Sequence, residues 1–305
     1  MGWNSEMIIS LVAGATAFER PAYLASAQAS ARFIMENMRH GEGYFRSYIA
    51  GAATIEAQLP DYAGFGRALV ALHDADPAGG WLPEAARIAR YMLANFQEDS
   101  GVFRMNEQPQ GLGAFIQLDD GEVPSGNAQA QWLLTALARR GTDVTFIQQA
   151  RALADVLSGH ALAFPEQRAA ALAAVDAQNR GDTGSVRAVA NGAVQVRAKF
   201  DPTTGEMRFT ILVAEGWHIN AHAPLEDYFI PTALHINGGA LAPEAYPEPL
   251  ITTLAFNNDT PLALYEGEIT LTVPIKVGEN VINLTLQSCS DEICLAPENL
   301  SFRFW

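Results

Sequence analysis

The chain contains two cysteines, Cys289 and Cys294, separated only by Ser290, Asp291, Glu292 and Ile293. They follow directly on the alternating run Val281 to Gln287, so the spacing predicts a tight chain reversal with the two residues facing each other across its neck. Directly opposed residues of an antiparallel pair have Cα atoms roughly 4.5 to 5.5 Å apart, within reach of a disulfide. As a staple, a bridge closing so short a loop contributes roughly 2 kcal/mol, against roughly 5 for a loop of a hundred residues. As a nucleophile, a thiolate here is disfavoured by Asp291, Glu292 and Glu298, so exchange suits a visitor that brings its own low-pKa thiol. Three chemistries stay open from the residues alone: a redox-active pair, a structural disulfide, and free or metal-bound thiols.

His218 and His222 could complete a Cys2His2 zinc set. The segment Trp217 to Ala223 follows a strand pattern and precedes Pro224, which predicts extended chain. Residues four apart are then roughly 13 Å from one another, too far to share one ion, so no metal is expected.

Polar residues of another kind open helices near the beginning of the chain: Trp3-Asn4, Asp61-Tyr62-Ala63 and Pro124-Ser125-Gly126-Asn127. Asp and Ser at such places are preferred caps that accept hydrogen bonds from the unpaired first-turn amides. Sugar chemistry would need acid and base groups on opposite sides of a substrate. His40, His73 and His160 fall at helix ends or joints without an evident partner for that work.

The elements that must position these groups fall into two kinds. Up to about Asp176 apolar residues recur at three-to-four spacing, as in Leu24, Ala27, Ala31, Ile34, Met35 and Met38 on a helix entered at Pro21. Further helices are expected over Tyr62–Ala75, Pro83–Phe96, Gly126–Arg140 and Asp143–Leu157, with short joints that force antiparallel neighbours. The longer joints, 41–60 and 101–123, are each expected to hold a short hairpin. Between Gln178 and Gly192 the chain turns polar and turn-prone, and beyond it the period becomes two: Met207, Phe209, Ile211 and Val213; Ile269, Leu271, Val273 and Ile275; Ile282, Leu284 and Leu286. The expected organisation is a helical domain over 1–178, a linker over 179–192 and an antiparallel β-sandwich over 193–305.

Composition narrows the function classes. Of 305 residues, 49% are hydrophobic and 17% charged, which describes globular material. A formal charge of −15 opposes nucleic acid and anionic membrane surfaces, and no run approaches the roughly 20 apolar residues of a bilayer crossing.

Several short motifs in order carry a resemblance: Trp217-His218-Ile219-Asn220, Ile230-Pro231-Thr232, Tyr246-Pro247, Tyr265-Glu266-Gly267 and Gln287-Ser288-Cys289-Ser290-Asp291-Glu292-Ile293-Cys294-Leu295-Ala296-Pro297-Glu298. Residues 192 to 305 thereby resemble the amino-terminal domain of the thiol:disulfide interchange protein DsbD, with a spacer one residue shorter than in the best-known member. The resemblance implies an immunoglobulin-like sandwich whose Cys289 and Cys294 relay electrons between thiol partners, without a bound cofactor. Trp217, His218, Tyr228, Phe229, Tyr265 and Glu292 would surround the pair. The implied partner is a thioredoxin-like or other dithiol protein.

Trp3-Asn4, Asp61-Tyr62-Ala63 and Pro124-Ser125-Gly126-Asn127 make residues 2 to 178 resemble the C-terminal part of YyaL-type thioredoxin-domain-containing proteins, also called the spermatogenesis-associated protein 20 family. That resemblance implies part of an (α/α)6 toroid similar to sugar epimerases and six-hairpin glycosidases, with about seven of its twelve helices. Trp3, Asn4, Asp61, Tyr62, Ser125 and Asn127 would line a central sugar pocket. An open half-ring would expose apolar faces that self-association could cover, and Met1 is read as an internal start or fragment boundary. The two resemblances point to different compartments: the helical half and the lack of an export signal to the cytoplasm, the β half to an oxidising space behind a missing N-terminal portion. The leading expectation is a thiol-disulfide relay with the helical domain as scaffold or docking platform. The alternative is a carbohydrate-active helical domain carrying a structural or protein-binding β appendage.

Overall fold

A computed structural model describes the chain except for residues 19, 109–112, 141–142, 182–184, 202, 255–259, 277, 279, 291–292 and 305, and the side chains of Val144, Arg180 and Asn191. It divides into two compact units, one of Met1–His73 and Pro77–Asn179, the other of Arg180–Trp305 with Asp74–Asp76.

The first unit contains α1 (Gly2–Ala17), α2 (Pro21–Asn37), β1 (Arg39–His40), β2 (Gly43–Ile49), β3 (Ala52–Glu56), α3 (Leu59–Ala75), α4 (Trp81–Phe96), α5 (Gly126–Arg139), α6 (Val144–Ala163) and α7 (Ala169–Arg180). Pro21 opens α2 where its missing N–H costs nothing. Ser125 caps α5 by accepting from the Ala128 amide, and Asp143 caps α6 by accepting from Thr145. The joint over 41–60 holds the expected hairpin, β2 against β3, extended by β1 into a small antiparallel sheet. The joint over 101–123 differs: its described residues contain one isolated bridge, Gln97 to Phe103, because Asn127 ties down the Phe103 backbone in place of a partner strand.

Among the described residues, the strands of the second unit pair antiparallel: β4 (Val186–Val189), β5 (Val194–Asp201), β6 (Glu206–Val213), β7 (Trp217–Asn220), β8 (Ala233–Ile236), β9 (Gly239–Ala240), β10 (Leu250–Thr253), β11 (Pro261–Tyr265), β12 (Glu268–Pro274), β13 (Asn280–Leu286), β14 (Ser288–Ser290) and β15 (Glu298–Phe304). They form three four-stranded sheets, in the orders β12-β6-β5-β4, β15-β13-β8-β9 and β10-β11-β7-β14. The period-two residues Met207, Phe209, Ile211, Ile269, Leu271, Val273, Ile282, Leu284 and Leu286 all enter one shared core, as alternation on a half-buried strand requires. Part of the stretch expected as linker, Val186–Val189, is an edge strand paired with β5. Its Ala188 and Val189 are buried, an apolar content masked in the sequence by the polar run before it.

β13 and β14 are separated only by Gln287, yet they belong to different sheets. The chain changes sheet at this residue and reaches Cys289 two positions later.

Candidate functional site

Cys289 and Cys294 are joined in a disulfide with Cα atoms 4.0 Å apart. Ser290 and Leu295 donate backbone N–H groups to the Ile293 and Ser288 carbonyls on either side of the pair. The cysteines thus occupy a non-hydrogen-bonded position of the reversal, the narrow one in an antiparallel pair, which is why they lie closer than the ordinary spacing. The sulfurs are not equivalent. Cys289 is fully buried, whereas Cys294 is partly exposed and packs on Phe229, Leu262 and Leu264.

Strand register decides which of the expected neighbours belong to this site. Cys289 lies directly opposite His218, and Ser288 opposite Ile219. On the other side of β7, Asn220 lies opposite Leu264 and Ile219 opposite Tyr265. Cross-strand partners share a face and successive residues alternate. One face of this sheet therefore presents Cys289, His218, Asn220, Leu262 and Leu264, with Cys294 and Phe229 packed over it, while Ile219, Ala263 and Tyr265 turn into the common core with Trp217 against them. Of the expected surroundings, His218 and Phe229 share the disulfide's face. Trp217 and Tyr265 lie on the opposite one, because a single step along a strand reverses the side chain. Tyr228 is exposed and tilts against Phe229 at 4.5 Å between ring centroids. Glu292 lies outside the described residues.

The polar group that organises the site is Gln287. Its Oε1 accepts from Asn220 Nδ2 at 3.0 Å and from the Ile230 amide at 3.2 Å, and its Nε2 donates to the Leu295 carbonyl at 3.0 Å. Asn220 Nδ2 also donates to the Ile230 carbonyl, and Thr232 Oγ1 to the Asn220 carbonyl. One side chain at the sheet change thus binds β7, the segment over 221–232 that carries Phe229, and the strand returning from Cys294. Gln287 and Asn220 were present in the recognised motifs, but nothing in a linear sequence marks them as a clamp. His222 stacks on Tyr246 with centroids 3.9 Å apart, and burial pushes the phenols of Tyr246 and Tyr265 up from their ordinary value. Among the described residues no group of three or more His, Cys, Asp or Glu could hold a metal ion.

The six expected sugar-pocket residues separate into two sets. Trp3 is exposed, and with Pro60, Gln117, Glu122 and Ser125 it lines an open cleft of about 200 Å³. Asn4 is exposed but does not line it. Asp61, Tyr62 and Asn127 are buried, and their polar atoms are committed to the fold. Asp61 Oδ1 accepts from the Gly2 amide at 2.8 Å, its Oδ2 accepts from the Gln58 amide at 3.0 Å, and Arg46 lies 3.5 Å away. One carboxylate thereby serves the entrances of both α1 and α3, where the positive ends of the helix dipoles favour it. Tyr62 Oη accepts from the Tyr44 amide at 3.0 Å, and burial raises its phenol pKa. Asn127 donates to the Phe103 and Gln117 carbonyls and accepts from the Phe103 amide.

Asp120, which sequence reading missed, repeats the device of Asp61 for two later helices. Its Oδ1 accepts from Ser125 at the start of α5, and its Oδ2 accepts from Ala170 at the start of α7. Its only sequence signal is an acid five residues before a helix cap.

No family model matches the sequence, and no curated protein matches it. Solved structures with a detectable likeness include a family 76 glycoside hydrolase, a mannosidase, from Bacteroides thetaiotaomicron: 16% identity over 50% of this chain and 42% of that one, TM-score 0.40. Cellobiose 2-epimerase from Bacillus thermoamylovorans shares 16% identity over 50% of this chain and 42% of its own, TM-score 0.42. The N-terminal periplasmic domain of ScsB from Proteus mirabilis shares 15% identity over 41% of this chain and 51% of its own, TM-score 0.30. The chain spans less than two thirds of the length of each. The YyaL-type assignment has no counterpart among these matches.

Proposed function

We propose that the β unit performs thiol-disulfide exchange through Cys289 and Cys294, with a dithiol protein as its partner. The carrying observation is the asymmetry of the bridge: Cys289 is buried, while Cys294 is partly exposed and packs on Phe229, Leu262 and Leu264. A partner thiolate attacks Cys294 Sγ, the Cys289–Cys294 bond breaks, and its electron pair leaves on Cys289. The partner's second thiol then attacks its own sulfur in the mixed disulfide and releases Cys294. The pair gains two electrons and two protons, and the partner becomes a disulfide. The reverse sequence returns them. Exposed Tyr228 and Ile293, beside Phe229 and Cys294, supply apolar surface on which a visiting protein docks.

Equilibration with glutathione or dithiothreitol buffers, read by alkylation and mass, tests this directly. A reversible two-electron couple is expected, and a bridge that stays oxidised in every buffer would exclude exchange.

The second reading, a carbohydrate-active helical unit, is favoured by the cleft where Trp3 stands free beside Glu122, Gln117 and Ser125. An exposed indole is a stacking surface for a sugar ring, and Glu122 supplies one carboxylate. Isothermal titration with a panel of mono- and disaccharides tests the cleft. Heat that disappears in Trp3→Ala supports the reading, and no heat with any sugar removes it.

A further inference from the structure

We infer that His218 is the proton partner of Cys289, giving a proton to its sulfur when the bridge opens and taking it back when the bridge closes. The inference rests on the exchange reading and adds a residue to it.

The argument begins from which sulfur leaves. Attack at the accessible Cys294 expels Cys289, the buried one, so negative charge develops inside the protein. A buried thiolate lacks solvation, and its departure slows as its pKa rises. The whole chain carries a formal charge of −15, which adds nothing to stabilise another anion. The group set directly across from Cys289 is His218, 2% exposed. Directly opposed side chains of an antiparallel pair have Cβ atoms about 4.5 to 5.5 Å apart and share a face, so the imidazole and the sulfur occupy neighbouring positions on one face. Histidine is the side chain whose ordinary titration lies closest to neutral pH, so it can hold a proton before the step and spare it during the step.

Among the described residues, the neighbours on this face are largely apolar. On β11, Leu264 stands beside Asn220 on the same face, and Tyr265 sits opposite Ile219 on the core face. The segment covering the disulfide contributes Phe229 to this face, while its acids Glu226 and Asp227 are more exposed than Phe229.

The balance is simple. The bonding pair of the disulfide passes to Cys289 Sγ, the imidazolium of His218 transfers its proton there, and a neutral imidazole remains. A proton released by the partner's second thiol, carried through solvent, restores the imidazolium. On closing, neutral His218 takes the Cys289 proton as that sulfur attacks the mixed disulfide at Cys294.

The test uses the full chain. In a Cys294→Ser background the thiolate absorbance of Cys289 is followed against pH with His218 intact and with His218→Gln. The inference expects about a tenfold smaller thiolate fraction near neutral pH in the glutamine variant, one pKa unit. Superimposable titrations overturn it. Should His218→Gln fail to fold, the wild-type protein answers alone: the His218 ring, followed by NMR, must titrate at different pH in the oxidised and reduced forms, because coupling between two sites is mutual. Identical ring titrations in the two forms overturn the inference. Absence of any reversible couple in the wild type is a separate result, which removes the exchange reading itself.

Discussion

The two units handle buried polarity in opposite ways. In the helical unit, Asp61, Tyr62 and Asn127 look from the sequence like a constellation, yet each has its polar atoms occupied by backbone groups. In the β unit, Gln287 and Asn220 are similarly occupied, but what they hold in place is a disulfide whose Cys289 is buried and whose Cys294 is partly exposed. Commitment of polar groups to the backbone therefore does not by itself mark a reactive site, and the proposed exchange depends on the partly exposed Cys294 beside them.

The sharpest break of this contrast comes from Cys294→Ser, which is expected to abolish disulfide exchange altogether in a gel-shift or mass assay with a small dithiol while the fold stays intact by circular dichroism. Residual exchange of wild-type size would show that the activity, if any, lies elsewhere.

The next effect belongs to the helical unit. Asp61→Ala removes the acceptor from two part-buried amides and one partner of Arg46, and is expected to lower stability by about 1–3 kcal/mol in urea unfolding. If stability were unchanged and a saccharide titration lost its heat instead, the carboxylate would belong to a ligand rather than to the helices.

Gln287→Ala is the matching experiment in the β unit. Loss of its three hydrogen bonds is expected to cost about 1–3 kcal/mol and to loosen the segment from Cys294 to Leu295, so reduction by dithiothreitol should be faster than in wild type. Slower or unchanged reduction would show that the clamp does not govern access to the sulfur.

The mildest effect concerns acid. Burial alone would push the Glu84 carboxyl up, but hydrogen bonds from Arg87 and Tyr44 and the charges of Arg87 and Arg39 overcome it and hold the pKa below the ordinary value. A depressed carboxyl contributes stability that is present above its unfolded pKa and disappears as pH falls through the folded one. Melting temperatures followed downward from neutral pH should fall less steeply in Glu84→Gln than in wild type. Parallel acid limbs would assign the loss to other groups.

Much of the fold was legible because its signals are local. The Pro21 start, the Ser125 and Asp143 caps, and the alternation in Met207 to Val213 each follow from a few neighbouring residues. The reversal at Cys289 and Cys294 was readable for the same reason. What escaped depends on register between distant strands. Trp217 was grouped with His218 around the disulfide although one residue's step sends it to the other face. Gln287 needed knowledge that β13 and β14 lie in different sheets. Asp61 was read both as a cap and as a pocket residue, since an aspartate at a helix entrance reads alike whether it serves backbone amides or a ligand.

The doubled use of single carboxylates has a mechanical meaning. Asp61 accepts from Gly2, 59 positions before it, and from Gln58 at the entrance of α3, while Asp120 binds two helix starts separated by more than forty residues. Fraying at one such start releases the hold on another, so these helices should open together rather than singly. Amide exchange at α1 and α3 would then show shared protection, as would α5 and α7, like doors hung from a common post.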